Sequence, residues 1–231
     1  MVNKGDFVKI EYTGFLDDGT VFDTTYEAEA KKANVHNPKI KYAPVLMIVG
    51  SRRMIAGLED AVEGMEIGAE KEVTIKPDEG FGQRNPELIS IVPLSHFERE
   101  KIAPAPGMAV NIDDRDGIVR SVGGGRVIVD FNHPLAGQTL KYKVKVASLL
   151  DKVVDKAKAL LDDVGVSGDA SSEGDILTFT TKADPSMEYT SRKYMLLMAI
   201  KDFVSGVNTV KFNEEYKIAE KKDTTKAPEK K

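Results

Sequence analysis

Val8-Lys9-Ile10-Glu11-Tyr12-Thr13-Gly14, followed by Asp17-Asp18-Gly19-Thr20-Val21-Phe22-Asp23-Thr24, is the stretch on which the reading of this chain turns. Val8, Ile10 and Tyr12 alternate with Lys9, Glu11 and Thr13, the period-two pattern of a half-buried strand. Asp17-Asp18-Gly19 supplies a turn, and Thr20 to Thr24 reads as a second strand. Beyond the polar stretch Tyr26 to Lys41, Val45-Leu46-Met47-Ile48-Val49 forms an apolar strand closed by Gly50. From Gly57, the apolar positions Leu58, Ala61, Val62 and Met65 recur at i, i+3, i+4 and i+7, giving a short helix with one buried face. Ile67-Gly68 turns the chain into a strand from Glu70 to Lys76. Much later, Leu140, Tyr142, Val144 and Val146 alternate with Lys141, Lys143 and Lys145, an amphipathic strand able to complete a sheet against that helix.

The order of these pieces is recognisable. Tyr12-Thr13-Gly14, Asp18-Gly19-Thr20-Val21-Phe22-Asp23-Thr24, Gly50, Met54-Ile55-Ala56-Gly57-Leu58-Glu59, Met65-Glu66-Ile67-Gly68 and Gly80-Phe81-Gly82 resemble the FK506-binding-protein (FKBP) family of prolyl isomerases. The agreement resumes at Gly137 to Leu149. Between the two lies a detour of roughly fifty residues, too long for an unstructured loop in a compact domain. Met108–Ile112, Gly117–Val122 and Arg126–Phe131 are strand candidates there, separated by turn signals at Asp113–Asp116 and Gly123-Gly124-Gly125. With Phe131-Asn132-His133-Pro134-Leu135-Ala136-Gly137 at its return, the interrupted core resembles the SlyD-type FKBPs and their long archaeal relatives. In that subgroup the inserted flap captures unfolded chain.

The resemblance implies an α+β fold: an antiparallel sheet wrapped on a short helix, a small β-rich inserted domain and a C-terminal α+β domain. The expected division is 1–83 with 132–151 as the isomerase core, 84–131 as the flap, 152–218 as the C-terminal domain and 219–231 as a disordered basic tail. It also implies a pocket whose catalytic residues are Tyr12, Phe22, Asp23, Ile55, Leu58, Phe81 and Tyr142, with Val45 and Met54 at its edge. Ile55 would offer its N–H to a substrate carbonyl, Leu58 would floor the proline ring, and Asp23 would pair with the Tyr12 hydroxyl. On the residues alone, Tyr12, Phe22, Ile55, Leu58 and Tyr142 read as ordinary core, the usual place of apolar positions; the ordered resemblance is what turns the reading to a pocket.

Leu58 stands where simple family members commonly carry Trp, and Phe81 where a hydrogen-bonding Tyr is common. These departures suggest a shallower pocket and weaken the expectation of tight macrolide binding. In the insert, Ile89, Ile91, Val92, Leu94, Phe97 and Met108 exceed what a small domain can bury and are expected to form a substrate-binding apolar groove. The partners implied are proline-containing peptides and unfolded protein chains.

Composition sets the outer limits. Hydrophobic residues make up 41% and charged residues 30%, which supports a core and argues against global disorder. With no cysteine, thiol nucleophiles, disulfides and cysteine-based metal sites are excluded. No apolar run reaches the ~20 residues that span a bilayer. A cytoplasmic protein with no membrane or nucleic-acid partner is therefore expected, the net charge of −4 disfavouring phosphate binding. Gly123-Gly124-Gly125 lacks the Lys-Ser/Thr of a phosphate loop. His36, His96 and His133 are far apart in sequence, so neither a metal nor another cofactor is expected. Lys217 to Lys231 is basic, a solubilising end or a contact for an anionic partner.

Past Leu150, Asp151–Asp163 and Ser186–Val204 carry helical spacing. Asp175–Lys182 and Val207–Ile218 read as strands, and Gly165–Gly174 as a loop. The apolar helix around Tyr194, Met195, Leu197, Met198 and Ile200 raises the possibility of a homodimer through this domain.

Overall fold

The computed structural model describes residues 1–216. Along the chain lie β1 (Phe7–Leu16), β2 (Val21–Thr24), α1 (Glu27–Lys32), β3 (Val45–Ile48), α2 (Ala56–Val62), β4 (Glu70–Ile75), β5 (Ile89–Pro93), α3 (Leu94–Arg99), β6 (Ala109–Ile112), β7 (Arg115–Gly123), β8 (Arg126–Asp130) and β9 (Leu140–Leu150). The last part adds α4 (Val153–Asp163), β10 (Gly168–Glu173), β11 (Ile176–Ala183), α5 (Met187–Phe203) and β12 (Thr209–Tyr216). The fold is α+β, built on three sheets.

The first sheet runs β2-β1-β9-β4, with β3 pairing the start of β1, all antiparallel. Its alternating residues Val8, Ile10, Tyr142, Val144 and Val146 turn one face onto α2, which returns Leu58, Ala61 and Val62. Burial of a side chain such as Leu58, 1% exposed, stabilises the fold by roughly 2 kcal/mol. The helix approaches so closely that a Cβ on Gly57 would sit 2.7 Å from Ile75 Cγ2. Helix α2 begins two residues earlier than its apolar spacing indicates and ends at Val62. Met65 is buried from the turn that follows, where Gly64 takes φ +81°.

The second sheet, β5-β8-β7-β6, is a four-stranded antiparallel insert, one strand more than its sequence signals suggested. Helix α3 covers one face by driving Phe97 among Val110, Ile112, Val119, Val127 and Val129. The third sheet orders β10-β11-β12, with β11 and β12 parallel and α5 as their crossover. Strand β10 falls in the segment expected to be a loop. It is a polar edge strand whose only buried residue is Ala170, so it carries no apolar alternation.

The C-terminal unit does not stand apart. Phe7 and Ile48, from β1 and β3, are buried in the same cluster as Leu160, Leu161, Leu177, Phe179 and Leu196, with Leu46 and Leu150 packed against it. Strand β3 thus sends Met47 to one core and Ile48 to another. The expected strand end at Ile218 and the 219–231 tail lie outside the described residues.

Candidate functional site

Strands β1, β2 and β9, helix α2 and the loops around it converge on one apolar cradle. Leu58 and Tyr142 are buried, and Tyr12, Phe22, Val45, Met54, Ile55 and Phe81 pack half-buried around them. The Tyr142 ring lies 5.7 Å from Tyr12 and 5.6 Å from Phe22, meeting the latter edge-on at 85°. Phe22 reaches this position because residue 14 is glycine: a Cβ there would come 2.6 Å from the Phe22 ring. Asp23, itself exposed, accepts the Tyr12 hydroxyl hydrogen at 2.7 Å. Eight of the nine residues expected at the pocket thus lie in or against this one cluster, and Asp23 is joined to it through the Tyr12 hydroxyl.

Burial pushes the Tyr12 hydroxyl far above its ordinary value of 10.0, and the hydrogen bond to Asp23 and that carboxylate's charge push it further. Burial, then the charge of Asp23, raises Tyr142 likewise. Both phenols stay protonated at neutral pH. The cradle thus presents aromatic and aliphatic surface with neutral hydroxyls, and no activated nucleophile.

One supporting residue escaped the sequence reading. Glu59 is 1% exposed, and its carboxylate accepts the N–H groups of Arg52 and Met54, each at 2.9 Å. Helix α2 opens at Ile55, which has no capping side chain, and Glu59 fastens the preceding loop instead. Arg52 there holds a left-handed backbone, φ 59°, with its guanidinium on Asp60 at 2.9 Å and on the Ala56 carbonyl at 3.2 Å. The result is a fixed Met54-Ile55 rim in which the Ile55 N–H has no backbone acceptor among the described residues. Glu59 sits beside Asp60 in the helix, and nothing in the sequence distinguishes the buried carboxylate from its exposed neighbour. Arg53 meets Asp163 of α4 at 2.5 Å, joining this loop to the C-terminal unit.

In the insert the expected groove residues separate. Ile89, Ile91 and Met108 are exposed, Ile91 by 63%. Val92 and Leu94 are half-buried against the insert's core. Phe97 corrects the expectation: it is 1% exposed, so it anchors α3 and presents no surface to a bound chain. Ile128, not anticipated, lies directly across from Ile91 and is also exposed. Among the described residues, no cluster of three or more His, Cys, Asp or Glu is placed to hold a metal ion, and no helix is long and apolar enough to cross a membrane.

Comparison with known proteins agrees with this architecture. Residues 1–98 match the family described as FKBP-type peptidyl-prolyl cis-trans isomerase, and residues 90–135 match the FKBP26 IF domain. A short-type peptidyl-prolyl cis-trans isomerase of Methanocaldococcus jannaschii is 40% identical over 146 residues, covering 63% of this chain and 92% of that protein. An FKBP-type 16 kDa peptidyl-prolyl cis-trans isomerase of Escherichia coli is 30% identical over 152 residues, 64% of this chain and 93% of that protein. SlyD of Aeromonas hydrophila is 33% identical over 141 residues, 60% of each chain. The chain belongs to the FKBP-type peptidyl-prolyl cis-trans isomerase family.

Proposed function

We propose that this protein accelerates cis/trans exchange at X–Pro bonds in unfolded or partly folded chains, and that it holds those chains while doing so. The observation that carries the catalytic reading is the Tyr12, Phe22 and Tyr142 cradle over Leu58. Rotation about the peptide bond faces a barrier of ~18–20 kcal/mol because amide resonance is lost in the twisted state. No proton or leaving group has to move, so a base or nucleophile would contribute nothing. A dry aromatic surface removes the water hydrogen bonds that favour the planar, charge-separated amide. Rigid walls complementary to the twisted imide then lower the barrier. Glu59 contributes rigidity, and the Ile55 N–H supplies a donor at the rim.

The holding role is supported by Ile89, Ile91 and Ile128, apolar side chains on one uncovered face of the insert. In this reading residues 1–83 with 132–151 catalyse and 84–131 capture, while the unit from 152 onward braces the core through Phe7, Ile48 and Asp163. The exposed Met187, Tyr194 and Met195 of α5 are the surface on which a second copy would pack. A monomer mass in solution at high concentration would rule that contact out.

Magnetisation-exchange NMR on a short X–Pro peptide tests the catalytic part. Faster exchange with the intact protein, lost in Phe22→Ala, is the expected result. No acceleration by the folded protein would leave a binding chaperone whose core serves only to hold proline.

A further inference from the structure

The loop between β3 and α2 carries the Met54-Ile55 rim, and three consecutive residues of it are fastened to two different helices. Arg52 and Met54 give their N–H groups to Glu59, and the Arg52 guanidinium reaches Asp60 and the Ala56 carbonyl, so both residues are tied to α2. Arg53, between them, is tied elsewhere. Its guanidinium donates at 2.5 Å to the carboxylate of Asp163, the last residue of α4 in the C-terminal unit. Ile55 follows at the N-cap of α2, and its own N–H has no backbone acceptor among the described residues.

Asp163 is an unfavourable residue where it stands. The C-terminal end of a helix carries partial negative charge, which favours cations there and disfavours carboxylates. Helix α4 nevertheless ends in Asp162-Asp163, with no basic residue in its last turn. The compensating cations come from the isomerase core: Arg53 directly, and Lys9 of β1 at longer range. Burial lowers the Lys9 pKa, and the charges of Asp162 and Asp163 work to raise it again. The helix that offers these carboxylates is itself fixed, because Ala157, Leu160 and Leu161 are buried with Phe7 and Ile48 in the shared core. Ile48 closes β3 and leads into the loop. Helix α4 therefore grips the loop at its start through Ile48 and near its end through Arg53.

The apolar contacts are what keep the two units together. The Arg53–Asp163 pair has both partners partly exposed, and pairs of that kind add little to stability. What it can do is remove a freedom of the loop. The two hydrogen bonds to Glu59 fasten the loop to α2 and leave it able to pivot about them; a second fastening, on a rigid helix, removes the pivot. A site that favours a twisted bond over a planar one depends on such precision in its walls. We infer that Asp163 is a positioning residue of the isomerase site, acting through Arg53 to fix the Met54-Ile55 rim and the Ile55 N–H that it offers to a bound chain. The inference rests on the isomerase reading given above. The C-terminal unit then serves catalysis in the core as well as completing its fold.

Asp163→Asn, Arg53→Gln and the two together separate a positioning contact from a merely structural one. On a short X–Pro peptide each single variant should lose about fivefold in kcat/KM, the upper range for one partly exposed ion pair. The double variant should lose no more than either single, because both remove the same contact. Thermal midpoints should match the wild type. The nitrogen-15 spectrum should show the Ile55 amide signal shifted in Asp163→Asn, a change remote from it in sequence. Wild-type rates, losses that multiply in the double variant, lowered midpoints that account for the lost rate, or an unmoved Ile55 signal would each overturn the inference and leave the isomerase reading intact. If the wild type itself fails to speed exchange, that reading fails, and the Ile55 signal alone then decides whether Asp163 fixes the rim.

Discussion

The core sheet and the inserted sheet face the same problem and solve it differently. In the core, α2 closes over β1, β4 and β9 and leaves at its margin only the rim of aromatics around Leu58 and Tyr142. In the insert, α3 closes one face with Phe97, while the other keeps Ile89, Ile91 and Ile128 in solvent. A closed cradle held by Glu59 and Gly14 has one geometry and can discriminate a twisted bond from a planar one. An open row of isoleucines has area without a fixed polar partner, so it can hold many sequences weakly. In the function proposed here, catalysis is assigned to the first kind of surface and capture to the second.

Phe97→Ala breaks the comparison most severely. Emptying the insert's core should cost about 3–5 kcal/mol and release the β5–β8 amides to hydrogen exchange, yet leave short-peptide exchange near wild type. If peptide exchange also collapses, the two regions are not separable. Glu59→Ala attacks the other side. Two half-buried N–H groups lose their acceptor, a destabilisation of about 1–3 kcal/mol by denaturant titration, and kcat/KM should fall as the Met54-Ile55 rim loosens. An unchanged rate would mean that rim geometry is irrelevant to turnover.

The paired substitution Ile91→Lys with Ile128→Lys is milder. Both sites are solvent-exposed, so stability should shift by less than about 0.5 kcal/mol. Affinity for an unfolded protein, read by fluorescence titration, should weaken roughly tenfold at constant peptide exchange. Unchanged affinity would move capture elsewhere.

The smallest effect belongs to the phenol of Tyr12. Its folded-state pKa lies above the ordinary 10.0, so the folded protein retains a proton that the unfolded chain releases. Stability from this group is complete below the ordinary value and declines as pH rises beyond it. Tyr12→Phe should flatten the alkaline limb of the stability curve and cost about 1 kcal/mol at neutral pH through the lost Asp23 bond. An identical alkaline limb in the variant would show that Tyr12 is not held as described.

The first sheet was legible because its signals are local. Val8-Ile10-Tyr12 and Leu140-Tyr142-Val144-Val146 alternate cleanly, and Leu58, Ala61 and Val62 fall on one helical face. The pocket positions came from ordered resemblance, since periodicity alone leaves Leu58 and Tyr142 indistinguishable from ordinary core. What escaped depends on contacts distant in sequence. Strand β10 is polar and exists because β11 offers an edge. Strand β5 is a short apolar run ending in Pro93, which reads as surplus hydrophobicity until β8 pairs it. The role of Phe97 was misread because an apolar count does not say which side chain plugs the sheet. Likewise, nothing adjacent to Phe7 or Ile48 announces that these residues belong to a core completed by Leu160 and Phe179. The stacking of His133 on Phe81 joins residues on opposite sides of the insert, a contact that only folding assembles.

The division of labour is tested most directly by magnetisation exchange on one X–Pro peptide with three proteins: wild type, Phe22→Ala, and Ile91→Lys/Ile128→Lys. The account predicts acceleration by the wild type and by the isoleucine variant, and its loss in Phe22→Ala while that protein remains folded. Acceleration that survives Phe22→Ala, or disappears in the isoleucine variant, would contradict the assignment of catalysis to the closed cradle.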